Sequence, residues 1–172
     1  MQMYARGLAR VGARVHGVGD TPRDALPGPL KEALTDYLTV PRILVEGDVM
    51  QRVTAWLRGR SFERVLTNWE PLVVLAARLR ERWDVPGMSV DVARGFRDKK
   101  LMKDRVEAAS IRTARSARAS SAVDVRAACE TIGFPVVVKP IAGAGSADTH
   151  RVDDDDQLER VLNTLGHVPE VT

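Results

Sequence analysis

Four small residues in a row, Gly143-Ala144-Gly145-Ser146, follow an apolar run that carries a lysine near its end, Phe134-Pro135-Val136-Val137-Val138-Lys139-Pro140. Small side chains let a backbone approach an anion closely, and they leave unhindered N–H donors beside the Ser146 hydroxyl, a phosphate cradle in outline. Glycines in a β-hairpin also serve the turn alone, so the run by itself does not decide between the two roles. It is not a P-loop, because no Gly-Lys-Ser/Thr occurs, nor a dinucleotide fingerprint, because Asp148 stands where the third glycine should be. Lys139 closes the apolar strand just before the loop. A buried stem and an ammonium at the sheet edge would poise its charge over whatever the loop holds, and a snorkelling surface lysine would have the same spacing. Lys99 stands beside Asp98 at the start of a helical pattern, where the helix dipole favours the aspartate and disfavours the cation. A cation set against that preference hints at an anionic ligand; an ordinary solvated lysine is the plainer account.

Other chemically capable residues make weaker sites. Asp153 to Asp156 could suggest a divalent metal, but their place just before a helical pattern suits capping and the helix dipole better. His16, His150 and His167 show no metal-ligand spacing, and Cys129 lies on the apolar face of a helix as a core residue. No Ser/His/Asp set can be defended from chain order. Glu70 falls at a strand-to-helix junction, the ligand side of a doubly wound sheet, and is a substrate-side candidate there; dipole stabilisation of a helix-start glutamate is the alternative.

The elements that would position these residues emerge from periodicity. Tyr4, Leu8 and Val11 predict a one-faced helix stopped by Gly12. Arg14 to Val18 reads as a strand, Gly28 to about Asp36 as a helix, and Tyr37 to Val40 as a second strand. Val49, Val53, Trp56 and Leu57 share a helical face, Arg64 to Thr67 reads as a third strand, and Pro71 opens a helix with Leu72, Leu75, Ala76, Leu79 and Trp83 on one side. Helices alternating with short strands predict a parallel, doubly wound α/β sheet over residues 1–96, with a helix where the leading strand would stand. From Arg97 the texture becomes α+β. One helix starts at Asp98 with Met102, Val106 and Ala109 on one side, and another is capped by Ser121-Ala122-Val123-Asp124 with Val125, Ala128, Cys129 and Ile132 buried. The apolar strand, the glycine loop, a strand from Thr149 to Val152 and a last helix with Leu158, Val161, Leu162 and Leu165 complete this part.

A chain of 172 residues supports one ordinary domain or two small ones. Its 44% hydrophobic and 28% charged residues exclude disorder and low-complexity classes. The net charge of +3 comes from interspersed signs and the aromatic content is 5%, which argues against nucleic acid as a partner. A single cysteine excludes a disulfide framework and a cysteine zinc site, and suits a reducing cytoplasm. No apolar run reaches the ~18–20 residues of a membrane span, so no membrane partner is expected.

Taken together, Arg97-Asp98-Lys99-Lys100-Leu101-Met102-Lys103, Ala108-Ala109-Ser110-Ile111, Gly133 to Pro140 and Gly143 to Ser146 resemble the first half of an ATP-grasp enzyme, the superfamily of biotin carboxylase, carbamoyl-phosphate synthase and D-alanine:D-alanine ligase. The resemblance implies a Rossmann-like pre-ATP-grasp domain over 1–96, lacking its first strand, and the small α+β N-terminal subdomain of the ATP-grasp fold over 97–172. It further implies that Lys99, Lys139 and the loop Gly143, Ala144, Gly145 and Ser146 contact ATP. The family reaction activates a carboxylate as an acylphosphate, which an amine or other nucleophile then displaces, with magnesium on the phosphates. Ser110 departs from the family's usual glycine. Thr172 ends the chain before the half that would supply the adenine hinge and the metal ligands. By this resemblance the chain is expected to be a fragment, inactive alone and prone to self-associate. A non-catalytic nucleotide-binding or interaction module of the same fold is the alternative.

Overall fold

The computed structural model describes residues 2–143 and 145–164. The chain divides into two compact units, Met1–Gly87 and Met88–Thr172, each with its own apolar core.

In the first unit, α1 (Gln2–Arg10) precedes β1 (His16–Gly19), α2 (Gly28–Ala33), β2 (Asp36–Thr39), α3 (Glu46–Trp56) and α4 (Val73–Arg82). β1 and β2 pair in parallel with Val18 opposite Leu38, as the alternation of helices and short strands predicts. The ladder is extended by the Thr35 amide donating to Val15 O at 2.8 Å and the Val40 amide to Gly19 O at 2.8 Å. Val40, Val49 and Val53 are buried with Leu75 and Leu79 of α4, so α3 and α4 present the faces their spacing implies. Pro71 lies in a 3-10 turn, Glu70–Leu72, and the α-helix proper starts at Val73. The chain leaves α1 through Gly12, whose φ of +82° favours glycine, and no residue of α1 is buried.

One expected element is absent. Arg64 to Thr67 forms no strand. The Val65 carbonyl accepts instead from Arg80 Nε at 2.9 Å, and its side chain packs against the core. A side chain of α4 thus takes an acceptor that a sheet neighbour would have needed, and the described part of the sheet has two strands.

The second unit holds α5 (Val90–Arg97), α6 (Lys99–Ala108), α7 (Ala122–Ile132), β3 (Val136–Val138), β4 (His150–Val152) and α8 (Asp155–Thr164). β3 and β4 form an antiparallel hairpin pairing Val136 with Val152 and Val138 with His150. Val138 and Val152 meet Val125 and Cys129 of α7, Leu158 of α8 and Ala119 in one core. The Ser121 hydroxyl accepts from the Asp124 amide at 3.1 Å, while the Asp124 carboxylate accepts from the Ser120 amide at 3.0 Å, so the capping box closes one residue early. At the far end, Asp154 accepts from the Gln157 amide at 2.8 Å, which makes the acidic run a cap for α8. Leu165 and His167 lie outside the described residues.

Two features of this unit depart from expectation. Helix α5 is unpredicted, although Ser89 caps it by accepting from the Val92 amide at 3.3 Å. Helix α6 buries no residue, and Met102 is 40% exposed, so the apolar side expected there does not form part of the core. The C-terminal end of α6 carries a backbone constraint. Ser110 has φ +60°, with its amide donating to Glu107 O and the Ile111 amide to Val106 O. A left-handed residue after a helix strongly favours glycine. Ser110→Gly is therefore expected to stabilise the chain by about 0.5–1 kcal/mol. Trp56, Trp69 and Trp83 all lie in the first unit, so the gain should be read by far-UV circular dichroism in denaturant. An unchanged or lower midpoint would contradict the account of this helix end.

Candidate functional site

Asp98 does two jobs at one junction. Its amide ends α5 by donating to Arg94 O at 2.8 Å, and its carboxylate opens α6 by accepting from the Leu101 amide at 2.9 Å. Arg118 also donates to it, at 2.5 Å. Partial burial would raise the Asp98 carboxyl, but the Leu101 amide and the Arg118 guanidinium outweigh it and hold the carboxyl below its ordinary range.

From this junction two cations reach the loop after β3. The Lys99 amide donates to Ile141 O at 3.2 Å, and its ammonium donates to Ile141 O at 3.3 Å and Gly143 O at 3.1 Å. Arg97 donates to Gly143 O at 3.4 Å and also to Ala142 O. A cation at a helix N-terminus is disfavoured by the dipole. Here the loop carbonyls compensate the Lys99 charge.

The loop has the small-residue geometry its sequence suggests. A Cβ on Gly143 would lie 3.2 Å from Pro140 Cβ, a tight approach. Gly145 and Ser146 are both left-handed, at φ +64° and +60°, and among the described residues their amides make no hydrogen bond. Ala144 lies outside the described residues. Successive left-handed and turn residues expose N–H groups in a concavity suited to anions.

Lys139 leaves β3 half-buried and without a hydrogen bond or ion pair among the described residues. Lys103, on α6, is in the same condition. Burial pushes the Lys103 ammonium down, and the Lys139 charge pushes it further, against a smaller opposing pull from Glu107. Lys100, by contrast, is paired with Asp104, and Arg105 with Asp91 at 2.7 Å.

The structure thus brings Lys99 against the loop and places Lys139 at the end of β3, just before it. Glu70 belongs to the first unit, exposed at the first residue of the 3-10 turn. Sequence reasoning missed Arg97, whose guanidinium holds the loop carbonyls together with Lys99. Among the described residues no group of His, Cys, Asp and Glu could hold a metal ion, and no helix is long and apolar enough to cross a membrane.

Residues 98–167 match the family described as carbamoyl-phosphate synthase L chain, ATP binding domain. Alanine–anticapsin ligase of Bacillus subtilis is 28% identical over 120 residues, covering 70% of this chain and 25% of that protein. The chain therefore spans about a quarter of the length of such a relative. Among solved structures, the L-amino acid ligase of Bacillus licheniformis superposes with a TM-score of 0.71 at 18% identity, covering 92% of this chain and 44% of that one. The biotin carboxylase domain of Hydrogenobacter thermophilus 2-oxoglutarate carboxylase, determined with MgADP, ADP and bicarbonate, gives 0.71 at 15% identity, covering 98% of this chain and 40% of that one.

Asp98 is expected to matter to stability. Asp98→Ala should cost about 1–2 kcal/mol through the lost cap, and Asp98→Asn less, because an amide oxygen can still cap. A depressed folded-state carboxyl contributes stability that is full above about pH 4 and is lost as pH falls through the lower folded value. The gap between wild type and Asp98→Asn in thermal denaturation should therefore shrink from pH 5 toward pH 2. A gap that widens on acidification would contradict the assignment.

Proposed function

On the premise that the chain has the N-terminal part of the ATP-grasp fold, we propose that its second unit binds the polyphosphate of ATP, as part of an ATP-dependent ligase joining a carboxylate to an amine or related nucleophile. The observation that carries this reading is the β3–β4 loop. Its root is held by Arg97 and Lys99, its left-handed Gly145 and Ser146 have amides unengaged among the described residues, and Lys139 leaves the preceding strand without a counter-charge among them. Lys139 and the amides of the loop Gly143 to Ser146 would meet the phosphates, with the Lys99 charge at the loop's root. Ala144 is included only as part of that segment. Glu70 is proposed as a substrate-side residue at the entry to α4, although the strand expected ahead of it is absent.

In the proposed reaction a carboxylate oxygen attacks the γ-phosphorus and ADP leaves. The nucleophile then attacks the acyl carbon and expels phosphate. This chain's residues contribute orientation and charge stabilisation, which dominate phosphoryl transfer. Magnesium accompanies the nucleotide in such chemistry, but the described acidic residues do not form a site for it, and no step is assigned to it. The proposed compartment is the cytoplasm, in keeping with a single buried thiol, Cys129, whose ionisation burial disfavours.

These contacts are to phosphates alone, so ATP should bind weakly, with a dissociation constant of about 0.1–1 mM, roughly −4 to −6 kcal/mol. In calorimetric titrations Lys139→Ala should weaken binding about tenfold, the scale of one charge-assisted hydrogen bond. Lys100→Ala, which removes a cation already paired with Asp104, should change it less than about twofold. An equal response of the two variants would overturn the placement of Lys139.

A further inference from the structure

We propose that Arg97 is a positioning residue for nucleotide binding: its guanidinium fixes the turn through which the chain enters the β3–β4 loop, and it acts through the shape of its fork rather than through its charge. The role rests on the nucleotide reading and deepens it, by naming the residue that aims the loop's donors.

Arg97 is the last residue of α5 and is half-buried. One of its terminal nitrogens donates to the Ala142 carbonyl, 45 residues further along the chain, and the other donates to the Gly143 carbonyl at 3.4 Å. In an extended strand successive carbonyls point to opposite sides, so one planar fork can take two in a row only where the chain turns. Ile141 and Ala142 lie in such a turn. With both carbonyls committed to the Arg97 side, the Gly143 amide faces the other, at the start of the run that leads to the left-handed Gly145 and Ser146. Lys99 does not duplicate this grip. Its amide and its ammonium both go to Ile141 O, at 3.2 and 3.3 Å, and the ammonium shares Gly143 O at 3.1 Å. The middle acceptor, Ala142 O, is taken by Arg97 alone among the described residues. A lysine at this position would keep the positive charge, but an ammonium is a point charge and does not present two donors in a fixed plane. Charge near the phosphates and geometry at the loop entrance are therefore separable by substitution.

Calorimetric titration of ATP into the full chain and its variants separates the two. Arg97→Lys and Arg97→Met should both weaken ATP binding about tenfold, the scale of a misaimed polar contact. Arg94→Met, which removes an exposed cation of the same helix with no bond to the loop among the described residues, should change it less than about twofold. Without nucleotide, backbone amide NMR relaxation should show Gly143 more mobile in both Arg97 variants, with the amides of Val125 and Cys129 in the core unchanged, which excludes a general folding defect. Wild-type affinity in Arg97→Lys would show that charge suffices and would overturn the proposal. A loosened Gly143 with ATP affinity retained in both variants would overturn it while the nucleotide reading stands. A wild-type chain that binds no ATP would overturn both.

Discussion

Three consecutive carbonyl oxygens, those of Ile141, Ala142 and Gly143, are gripped by two cations, Arg97 and Lys99, at the junction of α5 and α6. The site depends on this grip. A trans peptide sets each N–H antiparallel to the carbonyl before it, so fixing the Ala142 carbonyl toward Arg97 turns the Gly143 amide the opposite way. Holding the acceptors of the loop on one side thus commits donors to the other. The strand end, the turn and the helix start become one piece of geometry, although they lie far apart in the chain.

That grip also resolves the electrostatics of the helix start. A cation at the first position of a helix opposes the macrodipole, and Asp98 alone, already engaged by Arg118 and the Leu101 amide, would not offset Arg97 and Lys99 together. The loop carbonyls add favourable contacts to both cations. Around this polar junction, stability comes from elsewhere in the unit, chiefly the packing of Val138 and Val152 against Val125, Cys129 and Leu158. Helix α6 buries no residue of its own, so its start is fixed by the Asp98 cap and the contacts of Lys99 with the loop.

Much of this organisation is legible in the residues. The hairpin, α7, α8 and the parallel pair arise from apolar periodicity bounded by glycines and caps, and the small-residue loop stands out as a cradle in outline. The elements that stayed hidden had physical causes. Arg64 to Thr67 has the composition of a strand, but a strand needs a neighbour to receive its carbonyls, and Arg80 takes the one at Val65. Helix α5 is only eight residues long, and its amphipathic pattern buries just Ala93 and Gly95 while Val92 and Phe96 stay exposed. A Cβ at Gly95 would meet the Arg105 guanidinium at 2.5 Å, a contact the long side chain can relieve by shifting.

The most direct test of the central claim, that the second unit is built around a polyphosphate, is a crystal structure of the chain grown with a non-hydrolysable ATP analogue. The account predicts phosphate density against the Lys139 ammonium group and the amides of Gly145 and Ser146, with Arg97 and Lys99 at the root of the loop. Phosphate density that leaves Lys139 untouched, or a nucleotide bound away from the hairpin loop, would contradict it.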